Sequence, residues 1–209
     1  FTTRKAPEER MIRVDARGNY NALDKSASQY DFGARYGERF FDNLLGVQVV
    51  GNLERKIRSN ESTDRNYDQT LNNYTDYMIS EFLVTYLDEV RKRGGASVLL
   101  DLNTPDGGTI KLSNVFNMTS RDYITHNRNY PPTGEVTYEF RDRLTDITTF
   151  SSSLRGENHL FDFDVDWSLS FSESKVKTPT DYDLTFTEAS STVGDSSGMR
   201  NVPIQYAKG

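Results

Sequence analysis

Residues Phe161 to Ser172 read F-D-F-D-V-D-W-S-L-S-F-S. Apolar and polar residues alternate in it without an error, which predicts a β-strand with one apolar and one polar face. A strand in a soluble sheet usually has about five or six residues, whereas a strand that crosses a bilayer in a barrel needs about 9–11. The length and the purity of the alternation favour the membrane strand, and a soluble β-sandwich is the alternative. The residues that we expect to face lipid are Phe161, Phe163, Val165, Trp167, Leu169 and Phe171.

The polar face of this stretch forms a row of carboxylates that we expect to line a polar lumen. Two upstream segments, Met11 to Tyr20 and Tyr30 to Tyr36, alternate in the same way and add charged residues to the predicted lumen side. We expect these charges to pair across neighbouring strands, and we favour that structural role over a role in a transport path. The predicted lumen-facing residues are Arg13, Asp15, Arg17, Asp31, Arg35, Asp162, Asp164 and Asp166.

Composition excludes several classes of function. The 209 residues include no cysteine and carry a net charge of −6, which argues against thiolate metal sites and against nucleic acid as a partner. The sequence contains no run of about 18 apolar residues, so no transmembrane helix is predicted. The carboxylate row imitates a calcium-binding loop, but Trp167 stands where that loop needs glycine. His126 and His159 lack zinc-ligand spacing and a nucleophile motif, so we predict no enzyme, no metal and no cofactor.

Long polar stretches alternate with short turns along the chain, as the extracellular loops and periplasmic turns of outer-membrane barrels do. The stretch from Phe82 to Arg93 fits either a helix or a strand, and we prefer a strand that extends beyond the membrane. The predicted polar loops are Arg55 to Asp76, Arg121 to Thr133 and Glu173 to Met199, and the predicted short turns are Gly37 to Asn43, Asn103 to Gly108 and Gly156 to His159.

Several motifs resemble one known family. F-T-T-R-K-A-P at residues 1–7 resembles the exit from the plug of a TonB-dependent outer-membrane receptor into its first barrel strand. Y-G-E-R-F-F-D-N-L-L-G-V at residues 36–47 is similar to a first periplasmic turn of that family. D-E-V-R-K-R-G-G at 88–95, the turn at 103–108 and S-R-D-Y at 120–123 are also similar to it.

This resemblance implies a plugged barrel of about 22 strands in the bacterial outer membrane that imports a scarce nutrient with energy from the TonB complex. Residues 1–10 would then be the end of the plug and its connection, and residues 11–209 the N-terminal portion of the barrel, with about seven spanning strands. No signal peptide is recognisable and both ends look cut, so we expect a fragment of a longer protein. The implied partners are outer-membrane lipid, the TonB complex through the missing plug, and an unknown nutrient.

Two alternatives stay open at the level of sequence. A complete outer-membrane barrel of about eight strands needs roughly this many residues. A secreted all-β adhesin or carbohydrate-binding module would bury the same apolar faces inside a sandwich. Dependence on detergent separates the soluble module from both barrels.

Overall fold

The computed structural model describes residues 5–22, 25–70, 73–131, 135–160 and 163–188. Within these residues all regular secondary structure is β-strand, which confirms the predicted all-β class. No helix in this part of the chain is long and apolar enough to cross a membrane. The strands are β1 (Met11–Asn21), β2 (Ser26–Phe40), β3 (Leu45–Ile57), β4 (Asn60–Thr70), β5 (Asn73–Asn103), β6 (Thr109–Tyr130), β7 (Val136–Leu160) and β8 (Phe163–Glu188).

The strands pair in one antiparallel sheet with the order β1-β2-β3-β5-β6-β7-β8. Strand β4 lies off this path and pairs with the N-terminal part of β5. Among the described residues no pairing joins β8 to β1, so the sheet is open. The antiparallel sheet is therefore confirmed, whereas membrane placement and a partial barrel stay predictions.

The strand predicted at Phe161 to Ser172 is present and is longer than predicted. Strand β8 begins at Phe163 and continues through the predicted end at Ser172 to Glu188. Phe161 and Asp162 lie outside the described residues. The stretch from Phe82 to Arg93 lies within β5, so the strand interpretation is confirmed and the helix is excluded.

The predicted polar loops are wrong over most of their length. Residues 60–70 form β4, residues 121–130 belong to β6 and residues 173–188 belong to β8. Positions 189–199 lie outside the described residues. A strand needs paired backbone groups, but it needs an apolar face only where that face is buried. Strands rich in polar residues therefore show no alternation that a sequence pattern can detect.

The short turns are predicted with mixed success. Strand β2 runs on to Phe40, so the first turn is only residues 41–44, and Phe41, Asp42 and Asn43 all have positive φ. The second turn lies at residues 104–108, within the predicted range. The third prediction is wrong, because Gly156 to His159 belong to β7. There the indole of Trp167 packs against Gly156, where any added Cβ would collide with the ring, and its Nε1–H donates to Asn158 Oδ1 at 3.2 Å.

Contacts between residues divide the chain into two compact units. The first unit contains the described residues within Phe1–Ile57, Arg91–Arg121 and Thr145–Thr178. The second contains those within Arg58–Val90, Asp122–Leu144 and Pro179–Gly209. The domain boundary predicted at residue 10 stays a prediction, although β1 does begin at Met11.

Candidate functional site

The first unit has two chemically different faces, which the strand register defines. Arg13 lies opposite Arg35, and Arg17 lies opposite Asp31. Directly opposite residues in an antiparallel pair project to the same face, so the predicted charged residues of β1 and β2 share one face. Arg13 also donates to Asp15 on that face, with Nε 2.9 Å from Oδ2. We call this surface the polar face.

The polar face continues on the other strands of the first unit. A Cβ added at Gly95 would meet the side-chain oxygens of Asn52 and Asn117, each 2.7 Å away. On β7 and β8 the hydroxyls of Ser151 and Ser172 lie 2.9 Å apart. Asp164 hydrogen bonds to the ring of His159, and Asp166 is exposed. Asp162, which belongs to the same predicted row, lies outside the described residues.

The opposite surface of the first unit, which we call the apolar face, has no covering layer among the residues that the structure describes. Phe32 pairs with Ala16 and Leu53, and a Cβ at Gly94 would contact both Leu53 and Met118. Val14 is 73% exposed, Phe163 72% and Leu169 70%. Of the other predicted lipid-facing residues, Trp167 and Phe171 are exposed, Val165 is half-buried, and Phe161 lies outside the described part.

The extent of the apolar face is similar on separate strands. On β3 it runs from Leu45 through Val47, Val49 and Gly51 to Leu53, and the next residue on that face is Arg55. On β8 it runs from Phe163 to Phe171, and the next residue is Glu173. Each series begins beside a short connection and covers about nine residues, which matches the length that a tilted strand needs to cross a bilayer.

A buried carboxylate that sequence reasoning missed holds the segment before β1 against the sheet. Asp101 is 0% exposed and accepts the backbone N–H of Ala6 at Oδ2, 2.7 Å away. The buried guanidinium of Arg39 donates to Asp101 Oδ1, with Nη1 2.9 Å away. A Cβ at Gly46 would lie 2.8 Å from Ala6 Cβ, so the close approach requires glycine there. The only signal in the sequence is an aspartate between two leucines near the end of a predicted strand.

A second polar centre forms at the turn of residues 104–108. Gly107 has φ 78°, and its N–H donates to Thr104 O at 3.0 Å. Asp106 Oδ2 accepts the backbone N–H of His159 at 3.0 Å and the amide of Asn158 at 3.3 Å. The Thr104 hydroxyl also donates to Asp106 and is the largest cause of a lowered pKa. Together with the donors from Asn158 and His159, it lowers the pKa of Asp106 from 3.8 to about 2. The carboxylate therefore joins this turn to the end of β7.

The second unit contains an aromatic cleft of about 860 Å³. The ring of His126 lies 6.0 Å from that of Tyr86 and meets Phe140 edge-on at 5.1 Å. The Arg128 guanidinium stacks 5.6 Å above the Tyr138 ring, whose hydroxyl donates to Glu188 at 3.2 Å. Burial and the Glu188 carboxylate raise the pKa of Tyr138, so this hydroxyl stays protonated at neutral pH. Aromatic walls with charged ends suit a ligand that has a flat or ring-shaped body and polar substituents.

The two histidines lie on strands, whereas the loop predicted at Arg121 to Thr133 and the turn predicted at Gly156 to His159 would place both in connections. His126 belongs to β6 and lines the aromatic cleft, and His159 belongs to β7. Within the described residues, no group of three or more His, Cys, Asp or Glu side chains is placed to hold a metal ion. Residues from all three predicted polar loops line the cleft, so the sequence analysis missed it for the same reason that it missed the strands there.

Comparison with known proteins leaves the family undecided. No protein-family model matches the chain, and no curated protein matches it. The functional assignment therefore depends on the two faces of the first unit and on the motifs quoted above.

We expect Asp101→Asn to destabilise the protein by about 3–5 kcal/mol, because it removes one partner of a buried ion pair and leaves the Arg39 charge uncompensated. Asp15→Asn is the matched control, since Asp15 pairs with Arg13 on an exposed surface where ion pairs contribute little. Urea unfolding of the folded protein measures both. Equal losses for the two variants would contradict the anchoring role of Asp101.

The Asp106 turn predicts a defined pH dependence. Because the pKa is lower in the folded state, the carboxylate stabilises the fold above its unfolded pKa, and this contribution is lost as pH falls through the folded pKa. The difference in unfolding free energy between the wild type and Asp106→Asn should be constant above about pH 4 and shrink towards about pH 2. Asp42→Asn, in the turn of residues 41–44, is the control. A difference that stays constant down to about pH 2 would refute this role of Asp106.

Proposed function

We propose that the chain is the N-terminal part of the barrel of a TonB-dependent receptor in the bacterial outer membrane. Such a receptor binds a scarce nutrient and imports it, and it catalyses no reaction. The observation that carries the proposal is the apolar face, which extends over about nine residues on separate strands and then gives way to charge. Outer-membrane lipid would cover that face.

The packing of the described residues supports lipid over a soluble sandwich. A sandwich buries its apolar face against a second sheet about 10 Å away. In the described part of the chain the buried apolar side chains are only Ala6, Leu99 and Val136, while many large apolar residues are exposed. Large contiguous exposed apolar patches mark contact with a membrane or with another protein.

The segment before β1 supports the receptor over a simple barrel. Residues 5–7 lie on the polar face beside short connections, where Lys5 Nζ donates to Asn103 Oδ1 at 3.1 Å and Ala6 binds Asp101. A Cβ at Gly37 would lie 2.7 Å from Pro7 Cδ, so this segment is packed tightly against β2. A chain that enters its first strand from the polar side fits the exit from a plug inside a barrel.

The two ends of the strand order bear on the size of the barrel. A closed barrel of about eight strands would need β8 to pair with β1, and the described residues contain no such pairing. Unpaired strand edges are not tolerated in lipid, so further strands must complete the sheet. Residues 1–7 and 36–47 resemble TonB-dependent receptors, and this resemblance favours a barrel of about 22 strands over one of about eight. The TonB complex would act through the plug, and the nutrient stays unidentified.

Substitutions along β8 test the membrane placement. Val165→Arg should destabilise the folded state by about 2–4 kcal/mol, because it places a charge in hydrocarbon near the bilayer centre. Phe171→Arg, near the edge of the apolar face, should add only about 0–1 kcal/mol to the loss of its ring. Folding titrations of the protein, expressed from its complete gene, into bilayers measure both.

Asp164→Arg is the control on the polar face and should cost much less than Val165→Arg, because its side chain would enter water. Equal losses at the two positions would show that the assigned faces are wrong. A protein that folds as a monomer without detergent would instead support the soluble adhesin or carbohydrate-binding module.

A further inference from the structure

The apolar face ends at the same boundary on four neighbouring strands. On β8 the series that ends with Phe171 continues on the same face as Glu173, Lys175 and Lys177. On β7, Phe150 contacts Phe171 with ring centroids 6.5 Å apart, and the same face continues to Asp146. On β5, Gly94 is followed on this face by Lys92, and on β6, Met118 is followed by Ser120.

A cleft of about 580 Å³ in the first unit lies at this boundary and includes residues from both sides of it. Phe116, Met118 and Phe150 provide an apolar floor that continues the apolar face. Lys92, Lys175 and Lys177 provide ammonium groups at the charged end. The cleft therefore combines an apolar surface with a group of cations. Strands β6 and β7 provide the apolar surface, and β5 and β8 provide the lysines.

The charges of the cleft favour an anion. Three lysines face two carboxylates, those of Asp146 and Glu173, which leaves a positive excess in a chain whose net charge is −6. None of these three lysines forms an ion pair within the described residues. Lysines at the edge of a hydrocarbon surface extend their ammonium groups towards the polar layer, where lipid phosphates lie.

We propose that this cleft binds the phosphate group of a membrane lipid. The acyl chains lie on Phe116, Met118 and Phe150, and the lysines bind the phosphate oxygens. A lipid is favoured over free phosphate because the apolar floor adjoins the cations and would contribute nothing to binding an inorganic ion. This inference rests on the membrane placement proposed above and adds a specific lipid site to it.

Binding of phosphatidic acid in competition with phosphatidylcholine tests the proposal. The protein, expressed from its complete gene, is folded into nanodiscs that contain both lipids, and the retained lipids are counted by native mass spectrometry after extraction. We expect the wild type to retain phosphatidic acid preferentially. Each Lys→Gln change at Lys92, Lys175 or Lys177 should weaken this preference about fivefold, since a lysine near a membrane surface contributes on that order to anionic lipid binding.

Lys111→Gln is the matched control. Lys111 lies in the first unit outside the cleft, 3.8 Å from Glu157, so its loss should leave the preference unchanged. Retention of phosphatidic acid by the triple variant, or an equal loss in Lys111→Gln, would overturn the lipid site. Displacement of the lipid by inorganic phosphate would also overturn it and would point to free phosphate.

These outcomes are separate from failure of the proposed function. A protein that inserts into the nanodisc, with its unfolding transition intact, and shows no lipid preference refutes the lipid site alone. A protein that stays in solution in the absence of detergent and does not insert refutes the membrane placement, and the lipid site with it.

Discussion

The structure depends on one constraint: the apolar face of the first unit has no covering layer among the described residues. Val14, Phe163 and Leu169 are all more than two-thirds exposed. In water, such a surface would drive association, because burying apolar area contributes about 25 cal/mol per Å². The antiparallel pairing satisfies the backbone hydrogen bonds, but the apolar side chains of this face still lack a packing partner. That apolar contact has to come from outside the described residues. A bilayer would supply it over the whole length of about nine residues, which is why we propose that lipid lies there.

The polar face has different requirements, and it meets them with its own side chains. Arg13 and Asp15 pair with each other, the hydroxyls of Ser151 and Ser172 are within hydrogen-bond distance, and Asp101 holds both Arg39 and the backbone of Ala6. The exposed pairs need little support from the fold, whereas Asp101 is fully buried and depends on its partners. This contrast makes the Asp101 centre the part of the polar face that fixes where the segment before β1 lies.

The sequence predicts the part of the fold where one face is apolar and the other is polar. Alternation identifies β8 from Phe163, and the facing of Arg13 and Arg35, because period two is a direct consequence of the pleat. It does not identify β4 or the far part of β6, because these stretches are rich in polar residues and a strand needs an apolar face only where that face is buried. The sequence predicts a turn at Gly156, where the structure has a strand. A glycine that Trp167 covers cannot be distinguished by sequence from a glycine in a turn. Asp101 and the aromatic cleft of His126 and Tyr138 arise from contacts between distant segments, and no local pattern predicts them.

Site-directed spin labelling along residues 164–172 measures which face of β8 contacts lipid. Each position carries a nitroxide in turn on the protein folded into bilayers, and its collisions with oxygen and with a water-soluble nickel complex are measured. The account predicts two opposed period-two patterns, with oxygen contact highest at Val165, Trp167 and Leu169 and nickel contact highest at Asp164 and Asp166. Nickel contact that is equally high at both sets of positions would contradict the membrane-facing surface and return the sheet to water.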